Sequence, residues 1–112
     1  MRRGEIWIVA GGPGYMGKPR PAAIIQDDVF VDTPSVTICP ISTFDKKTPL
    51  IRVTVEPSEA TGLRVRSHLM VDKIATVPRE RCQSLLGHLP STDIVRLNRA
   101  LAVFLGIAAA RG

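Results

Sequence analysis

Residues 35–41 read Ser-Val-Thr-Ile-Cys-Pro-Ile, and this run indicates the fold class more directly than any other part of the chain. β-Branched side chains pack well on a pleated sheet and lose rotamer freedom in a helix, so the run predicts a strand. Leu50 to Val55 alternates with period two, which predicts one buried and one wet face. Glu5 to Val9, Pro21 to Gln26 and Leu69 to Val77 are further strand-like runs. Five short, closely spaced strands are typical of a small β-barrel.

A short helix is predicted directly after the fifth strand. Pro78 suits the first turn of a helix, because the N–H it lacks is unpaired there in any case. Gly87 suits a helix end, since glycine readily adopts the left-handed backbone found there. We therefore expect a helix over residues 79–86.

The last segment predicts a longer, C-terminal helix. Ser91, Thr92 and Asp93 are capping candidates that precede apolar residues at helical spacing. The face expected to pack on the sheet consists of Ile94, Leu97, Leu101, Phe104, Leu105 and Ala108. A second apolar flank, made of Val95, Ala102 and Val103, fits the core and a contact between two copies equally well.

Length and charge limit the class of protein. The chain has 112 residues, of which 45% are hydrophobic, so we expect one folded mainly β (α+β) domain over residues 1–112. Its 11 Arg and 4 Lys against 10 acidic residues give a net charge of +5. An Arg-rich excess suits a polyanionic partner, because the guanidinium fork matches phosphate, although solubility alone also explains a modest charge.

The cysteines and the apolar segments indicate a cytoplasmic protein without a membrane partner. Cys39 and Cys82 lack the spacing of a metal site, and two free thiols in a reducing compartment are favoured over one disulfide. The most apolar stretch, residues 100–110, is shorter than the ~20 residues that cross a bilayer.

Most motifs of enzymes and cofactor sites are absent from the sequence. There is no GxxxxGK[ST] or GxSxG motif, and residues 11–14 lack the spacing of GxGxxG. His68 and His88 lie far apart without a metal-ligand pattern, and lone histidines of this kind are usually structural. We therefore predict no metal and no cofactor.

A basic set near predicted strand ends is the remaining candidate for chemistry. Lys18 and Arg20 border a glycine-rich loop, and Ser42 and Thr43 follow the strand that ends near Ile41. An arginine and a hydroxyl aimed at one phosphate suit RNA cleavage by the RNA's own 2′-hydroxyl, which needs no protein nucleophile. The alternative is that Arg20 only solvates a strand end and that the hydroxyls cap a turn.

Four segments carry a family resemblance. Residues 3–7 (RGEIW) are similar to an RG[DE][IV][WY] strand, and residues 20–28 (RPAAIIQDD) resemble an RPxxVIQND core. Residues 39–43 (CPIST) resemble a P-[hydrophobic]-T strand end, and residues 67–77 (SHLMVDKIATV) resemble SxVxxDQIxTV. In this order, the segments resemble the MazF/PemK family of toxin endoribonucleases.

The resemblance implies an SH3-like β-barrel with a C-terminal helix, working as a homodimer. It also implies metal-independent cleavage of single-stranded mRNA that leaves a 2′,3′-cyclic phosphate and inhibits translation and growth, with a cognate antitoxin blocking the RNA groove. Arg20 matches the catalytic arginine and Ser42 the catalytic threonine position, with Thr43 as a substitute. The loop from Gly11 to Pro19 is expected to cover the substrate. The residues expected to bind RNA are Lys18, Gly17, Gln26, Arg66 and Lys73.

Three positions depart from the family pattern. Ser42 keeps the hydroxyl of threonine but lacks the methyl group that restricts its rotamer. Asp27 stands where asparagine is common, and Lys73 stands where glutamine is common. These differences bear on rate and sequence preference rather than on the fold.

Two other functions remain open at this level. One is a non-enzymatic toxin of the CcdB type, which poisons DNA gyrase, but residues 108–112 (AAARG) lack that branch's Trp-Gly-Ile ending. The other is a nucleic-acid-binding barrel whose catalysis has decayed through Ser42.

Overall fold

The computed structural model describes residues 1–11 and 18–109, which contain seven strands and one α-helix. The strands are β1 (Glu5–Val9), β2 (Arg20–Ile24), β3 (Ser35–Ser42), β4 (Arg52–Val55), β5 (Ser67–Met70), β6 (Ala75–Pro78) and β7 (Cys82–His88). The helix is α1 (Ser91–Phe104), and 3₁₀ turns lie at Asp28–Phe30, Val71–Lys73 and Arg79–Arg81.

The strands form one sheet, in which every pairing is antiparallel among the residues described. The order is β4-β5-β3-β2-β1-β7, and β6 pairs with the first half of β3. No pairing within residues 1–11 and 18–109 joins β4 to β7, so this part of the sheet is open. The mainly β class with a C-terminal helix is therefore confirmed, although the described sheet does not close into a barrel.

The apolar side chains of β3 are divided between two clusters. Cys39 and Ile41 lie in the larger cluster, which α1 covers with Leu97. Val36 and Ile38 point to the other face and join the smaller cluster. Because both faces of β3 are covered, its apolar run is nearly continuous, and each buried aliphatic side chain contributes about 1.5–3 kcal/mol.

The predicted strand over residues 69–77 is two strands joined by a 3₁₀ turn. β5 pairs with β4 and with the end of β3, whereas β6 pairs with the beginning of β3. The turn at Val71–Lys73 lets the chain pass between these two positions, with the Val71 N–H donating to the Ile51 carbonyl oxygen at 3.0 Å.

The predicted helix over residues 79–86 is wrong. Only one 3₁₀ turn, Arg79–Arg81, follows Pro78, and β7 then pairs with β1. Gly87 ends no helix: a Cβ there would lie 2.3 Å from the Ala60 carbonyl oxygen, so the glycine allows two backbones to approach. Pairing with β1 outweighs the local helix signals.

The C-terminal helix is confirmed, but its boundaries differ from the prediction. Pro90 is the N-cap and provides no side-chain cap, so Ser91, Thr92 and Asp93 lie inside the first turn. Within α1 the buried residues are Leu97, Ala100 and Leu101. Phe104, Leu105 and Ala108 were expected to pack on the sheet but are exposed. In the second flank, Val95 is exposed, and Ala102 and Val103 are half-buried.

Candidate active site

Arg20 and Ser42 lie at the ends of two neighbouring antiparallel strands. β2 begins at Arg20, and β3 ends at Ser42. The last registered pair between these strands is Ala22 with Pro40, and the two site residues each lie two positions beyond it. Because side chains alternate along a strand, Arg20 and Ser42 share the face of that pair. The structure thus brings the two predicted catalytic residues to one edge of one face.

Arg20 lies at the rim of a small apolar depression. The depression has a volume of about 20 Å³, and Arg20 is itself exposed. Among residues 1–11 and 18–109, no carboxylate forms a salt bridge with its guanidinium. No carboxylate among these residues therefore competes with a phosphate for the Arg20 donors. The other lining residues are Val9, Ala10, Pro21, Ala22, Ile38, Pro40 and Val77.

Ser42 caps a turn and still retains a donor. Its Oγ accepts a hydrogen bond from the Phe44 N–H at 3.1 Å, so the turn-capping alternative describes a real contact. That bond uses one lone pair, and no residue within 1–11 or 18–109 accepts a hydrogen bond from the hydroxyl. Thr43 is exposed and follows the end of β3, and alternation directs it away from the face of Arg20. The geometry favours Ser42 over Thr43.

His68 lies directly opposite Ser42, which the sequence did not indicate. The two residues are registered partners between β3 and β5. Only 5% of His68 is exposed, and its Nδ1 lies 3.1 Å from Oγ1 of Thr54, its partner on β4. The only available signal was the strand pattern around Ser67, because the register that joins two distant segments cannot be read from local spacing.

The residues predicted to bind RNA occupy different surroundings. Lys18 precedes β2 and Lys73 ends a 3₁₀ turn, and both are exposed. Arg66 is also exposed, and its Nε donates to Oε2 of Glu56 at 2.9 Å. Gly17 lies outside the described residues, as do positions 12–16 of the loop expected to cover the substrate.

The side chain of Gln26 braces its own loop. Its Nε2 donates to the Phe30 carbonyl oxygen at 2.9 Å and to Oγ1 of Thr33 at 3.2 Å. Its Oε1 accepts from the Thr37 N–H at 2.9 Å. Both ends of the amide are engaged, so the structure does not present Gln26 to a ligand in the way that it presents Lys18.

Arg52 forms a buried ion pair with Asp72. Its side chain is 4% exposed, and its NH2 atom lies 3.1 Å from Oδ1 of Asp72. Its Nε is buried without a hydrogen-bond partner among the described residues. The pair joins β4 to the turn at Val71–Lys73.

The cysteines are free thiols among the residues described. Burial raises the pKa of the Cys39 thiol to about 12, which keeps it protonated at neutral pH. Burial also raises the pKa of the half-buried Cys82. No group of three or more His, Cys, Asp or Glu residues within 1–11 and 18–109 is arranged to hold a metal ion. Over the same ranges, no helix is long and apolar enough to cross a membrane.

Known proteins resemble this chain in sequence and in fold. A profile of the family described as "PemK-like, MazF-like toxin of type II toxin-antitoxin system" matches residues 2–105. The "Probable endoribonuclease MazF" of Mycolicibacterium smegmatis is 54% identical over 108 residues, which cover 96% of this chain and 99% of that protein.

Two solved structures have the same fold at lower identity. A mycobacterial endoribonuclease in complex with its cognate antitoxin has a TM-score of 0.80 and 23% identity, covering 96% of this chain and 97% of that one. A MazE–MazF structure from Deinococcus radiodurans has a TM-score of 0.79 and 20% identity, covering 96% and 98%. Because the family profile spans nearly the whole chain, this protein belongs to the family of PemK-like, MazF-like toxins of type II toxin–antitoxin systems.

Proposed function

We propose that the protein is an endoribonuclease toxin that cleaves single-stranded mRNA and thereby stops translation and growth. The single observation that carries the proposal is the placement of Arg20 and Ser42 on one face, at the adjoining ends of β2 and β3. The 54% identity to a probable endoribonuclease over nearly the full chain supports the same reaction class.

The reaction is an attack of the RNA's own 2′-hydroxyl oxygen on the adjacent phosphorus. The 2′-O–P bond forms and the P–O5′ bond breaks, leaving a 2′,3′-cyclic phosphate and a free 5′-hydroxyl. Charge develops on the non-bridging oxygens, where fixed donors stabilise the transition state. Arg20 supplies a charge-assisted donor, and the Ser42 hydroxyl supplies a second one. In this proposal neither the protein nor a metal ion provides the nucleophile.

The rest of the RNA is held through its phosphates. Lys18 is adjacent in sequence to Pro19 and lies two residues from Arg20, so it is suited to a phosphate neighbouring the scissile one. Lys73 and Arg66 are exposed cations suited to more distant phosphates, although Arg66 must first leave Glu56. Such contacts position the strand without reading its bases.

We also propose two protein partners. The mycobacterial and Deinococcus structures contain an antitoxin or MazE beside the toxin. An acidic antitoxin suits this chain, because the chain's net charge of +5 favours a polyanionic partner. A second copy is the other partner, and the end of α1 together with the residues that follow it offers exposed apolar side chains at Phe104, Leu105 and Ile107. The site of action is the cytoplasm, where mRNA is translated.

Incubation of the purified protein with a mixed RNA substrate, with EDTA present, tests the proposal. The parental protein should give defined fragments, and Arg20→Ala should reduce the rate by at least about 10²–10³-fold, the usual loss for one such donor. Arg99→Ala is the matched control, since Arg99 is an exposed arginine on α1.

Each other result contradicts the proposal and indicates a different explanation. RNA that is bound but stays intact indicates a binding barrel without catalysis. Neither binding nor cleavage indicates a protein target of the gyrase-poison type. Parental cleavage by the Arg20→Ala protein removes Arg20 from the site, and equal losses in both arginine variants indicate a general charge effect.

A further inference from the structure

Arg20 and Ser42 supply two donors to the proposed site, and neither is suited to accept a proton. Cleavage by the 2′-hydroxyl needs a base to remove the proton from that hydroxyl. Arginine stays protonated at all ordinary pH values, and a serine hydroxyl is a weak base. Neither Arg20 nor Ser42 therefore accounts for removal of the proton from the 2′-hydroxyl.

The strand register places a candidate base, His68, beside Ser42. It is the registered partner of Ser42 on one side and of Thr54 on the other, so the three side chains share one face across β3, β5 and β4. Directly opposite residues have Cβ atoms about 4.5–5.5 Å apart. Ser42 and His68 are thus neighbours on the face that also carries Arg20.

Among residues 1–11 and 18–109, the imidazole ring is held through one nitrogen. Its Nδ1 lies 3.1 Å from Oγ1 of Thr54, which fixes the orientation of the ring. No residue within 1–11 or 18–109 forms a hydrogen bond with its Nε2. A ring oriented through one nitrogen, with the other turned to the substrate, is the usual arrangement of a catalytic histidine. Because only 5% of His68 is exposed, the RNA must reach the ring from the Ser42 side of β3.

We propose that His68 is the general base of the cleavage reaction, an inference that rests on the proposed function. Nε2 takes the proton of the 2′-hydroxyl as the 2′-oxygen attacks phosphorus. The P–O5′ bond breaks, and the departing 5′-oxygen receives a proton from water, while Arg20 stays protonated and stabilises the developing charge. Return of the His68 proton to solvent then completes the cycle. No oxidant, metal or further co-reactant is required.

In the part of the chain that the structure describes, the charged groups near His68 come from few elements. β5 lies between β3 and β4, and β3 carries no charged side chain. β4 contributes Arg52, which Asp72 neutralises. Beyond these strands, Arg96 of α1 donates to the Thr54 carbonyl oxygen at 2.7 Å, and Arg20 lies on β2 across from Ser42.

Two substitutions separate a base from a structural histidine. His68→Asn retains a polar atom near the position of Nδ1 and can keep the bond to Thr54, whereas His68→Gln retains one near the position of Nε2. Neither amide titrates, so both variants should lower kcat by about 10²–10⁴-fold. Any acidic limb in the parental pH–rate profile should disappear in both variants, because neither amide acts as a base. His88→Asn is the matched control, because His88 is an exposed histidine on β7.

The possible results are distinguishable from one another. Circular dichroism melting first establishes which variants fold, and one folded His68 variant is enough for the kinetic test. Parental kcat with an unchanged acidic limb in a folded variant overturns the inference and leaves the endoribonuclease intact. Full activity in His68→Asn alone assigns the residue an orienting role through Thr54 and also overturns it. A parental protein that cuts no RNA overturns the proposed function, and the inference with it.

Discussion

Removal of Asp72 should destabilise the fold through the charge that it leaves behind. The Arg52 side chain is 4% exposed, and the carboxylate of Asp72 lies 3.1 Å from its NH2 atom. An unpaired buried charge costs about 3–5 kcal/mol, and the lower end applies because the Asp72 side chain is 18% exposed. We therefore expect Asp72→Ala to lose about 3 kcal/mol of unfolding free energy.

Equilibrium unfolding in urea measures this loss. With an m-value of about 2 kcal/mol/M, a loss of that size lowers the midpoint by about 1.5 M. The double variant Arg52→Met with Asp72→Leu should regain most of the stability, because it removes both charges and keeps apolar volume. Its recovery separates an electrostatic cost from a simple loss of packing.

An exposed ion pair in the same molecule provides the control. Arg66 and Glu56 are 2.9 Å apart, but their side chains are 68% and 65% exposed. Solvent screens such a pair, so Arg66→Gln should change the unfolding free energy by at most about 1 kcal/mol. The reasoning is refuted if Asp72→Ala costs no more than Arg66→Gln, or if the double variant is as unstable as Asp72→Ala.

Four further outcomes are expected. Ser42→Ala should slow RNA cleavage by about 10²–10³-fold while Thr43→Val leaves the rate unchanged, and the reverse pattern in a gel assay would exchange their roles. At pH 8, iodoacetamide should label Cys82 and leave Cys39 unmodified in the folded protein. The reason is that the Cys39 thiol, with a pKa of about 12, is almost wholly protonated at that pH. Equal labelling of the two cysteines, measured by mass spectrometry, would contradict this. Leu97→Ala should lower the unfolding free energy by about 3 kcal/mol, since Leu97 is 1% exposed, and a calorimetric loss below about 1 kcal/mol argues against its place in the core. RNA affinity should fall as salt concentration rises, and a salt-independent dissociation constant excludes phosphate-dominated binding.

Local pattern was a good guide where neighbours in sequence determine the structure. The β-branched run at 35–41 is a strand, and the apolar spacing around Leu97 belongs to a helix. Pro78 and Gly87 led to the wrong prediction of a helix over residues 79–86. The same two residues also suit a strand that approaches another backbone closely. The contact that distinguishes them involves Ala60, which no local window around residue 87 contains.

The candidate site was predictable only in part for the same reason. Arg20 and Ser42 stand beside recognisable strand ends and match family positions, so the sequence identifies them without the strand register. His68 becomes notable only when β5 is paired with the end of β3. The burial of Arg52 likewise depends on a turn that carries Asp72, 20 residues further along the chain.

The most direct test of the account uses an RNA with one altered sugar. An oligonucleotide containing a mapped cleavage site is prepared with ribose throughout and with a single 2′-deoxynucleotide on the 5′ side of the scissile phosphate. The account predicts that the all-ribose RNA is cut to a fragment ending in a 2′,3′-cyclic phosphate, identified by mass, and that the substituted RNA stays intact at that bond. Cleavage of the substituted RNA at the same bond would contradict attack by the 2′-hydroxyl and the roles assigned to Arg20, Ser42 and His68.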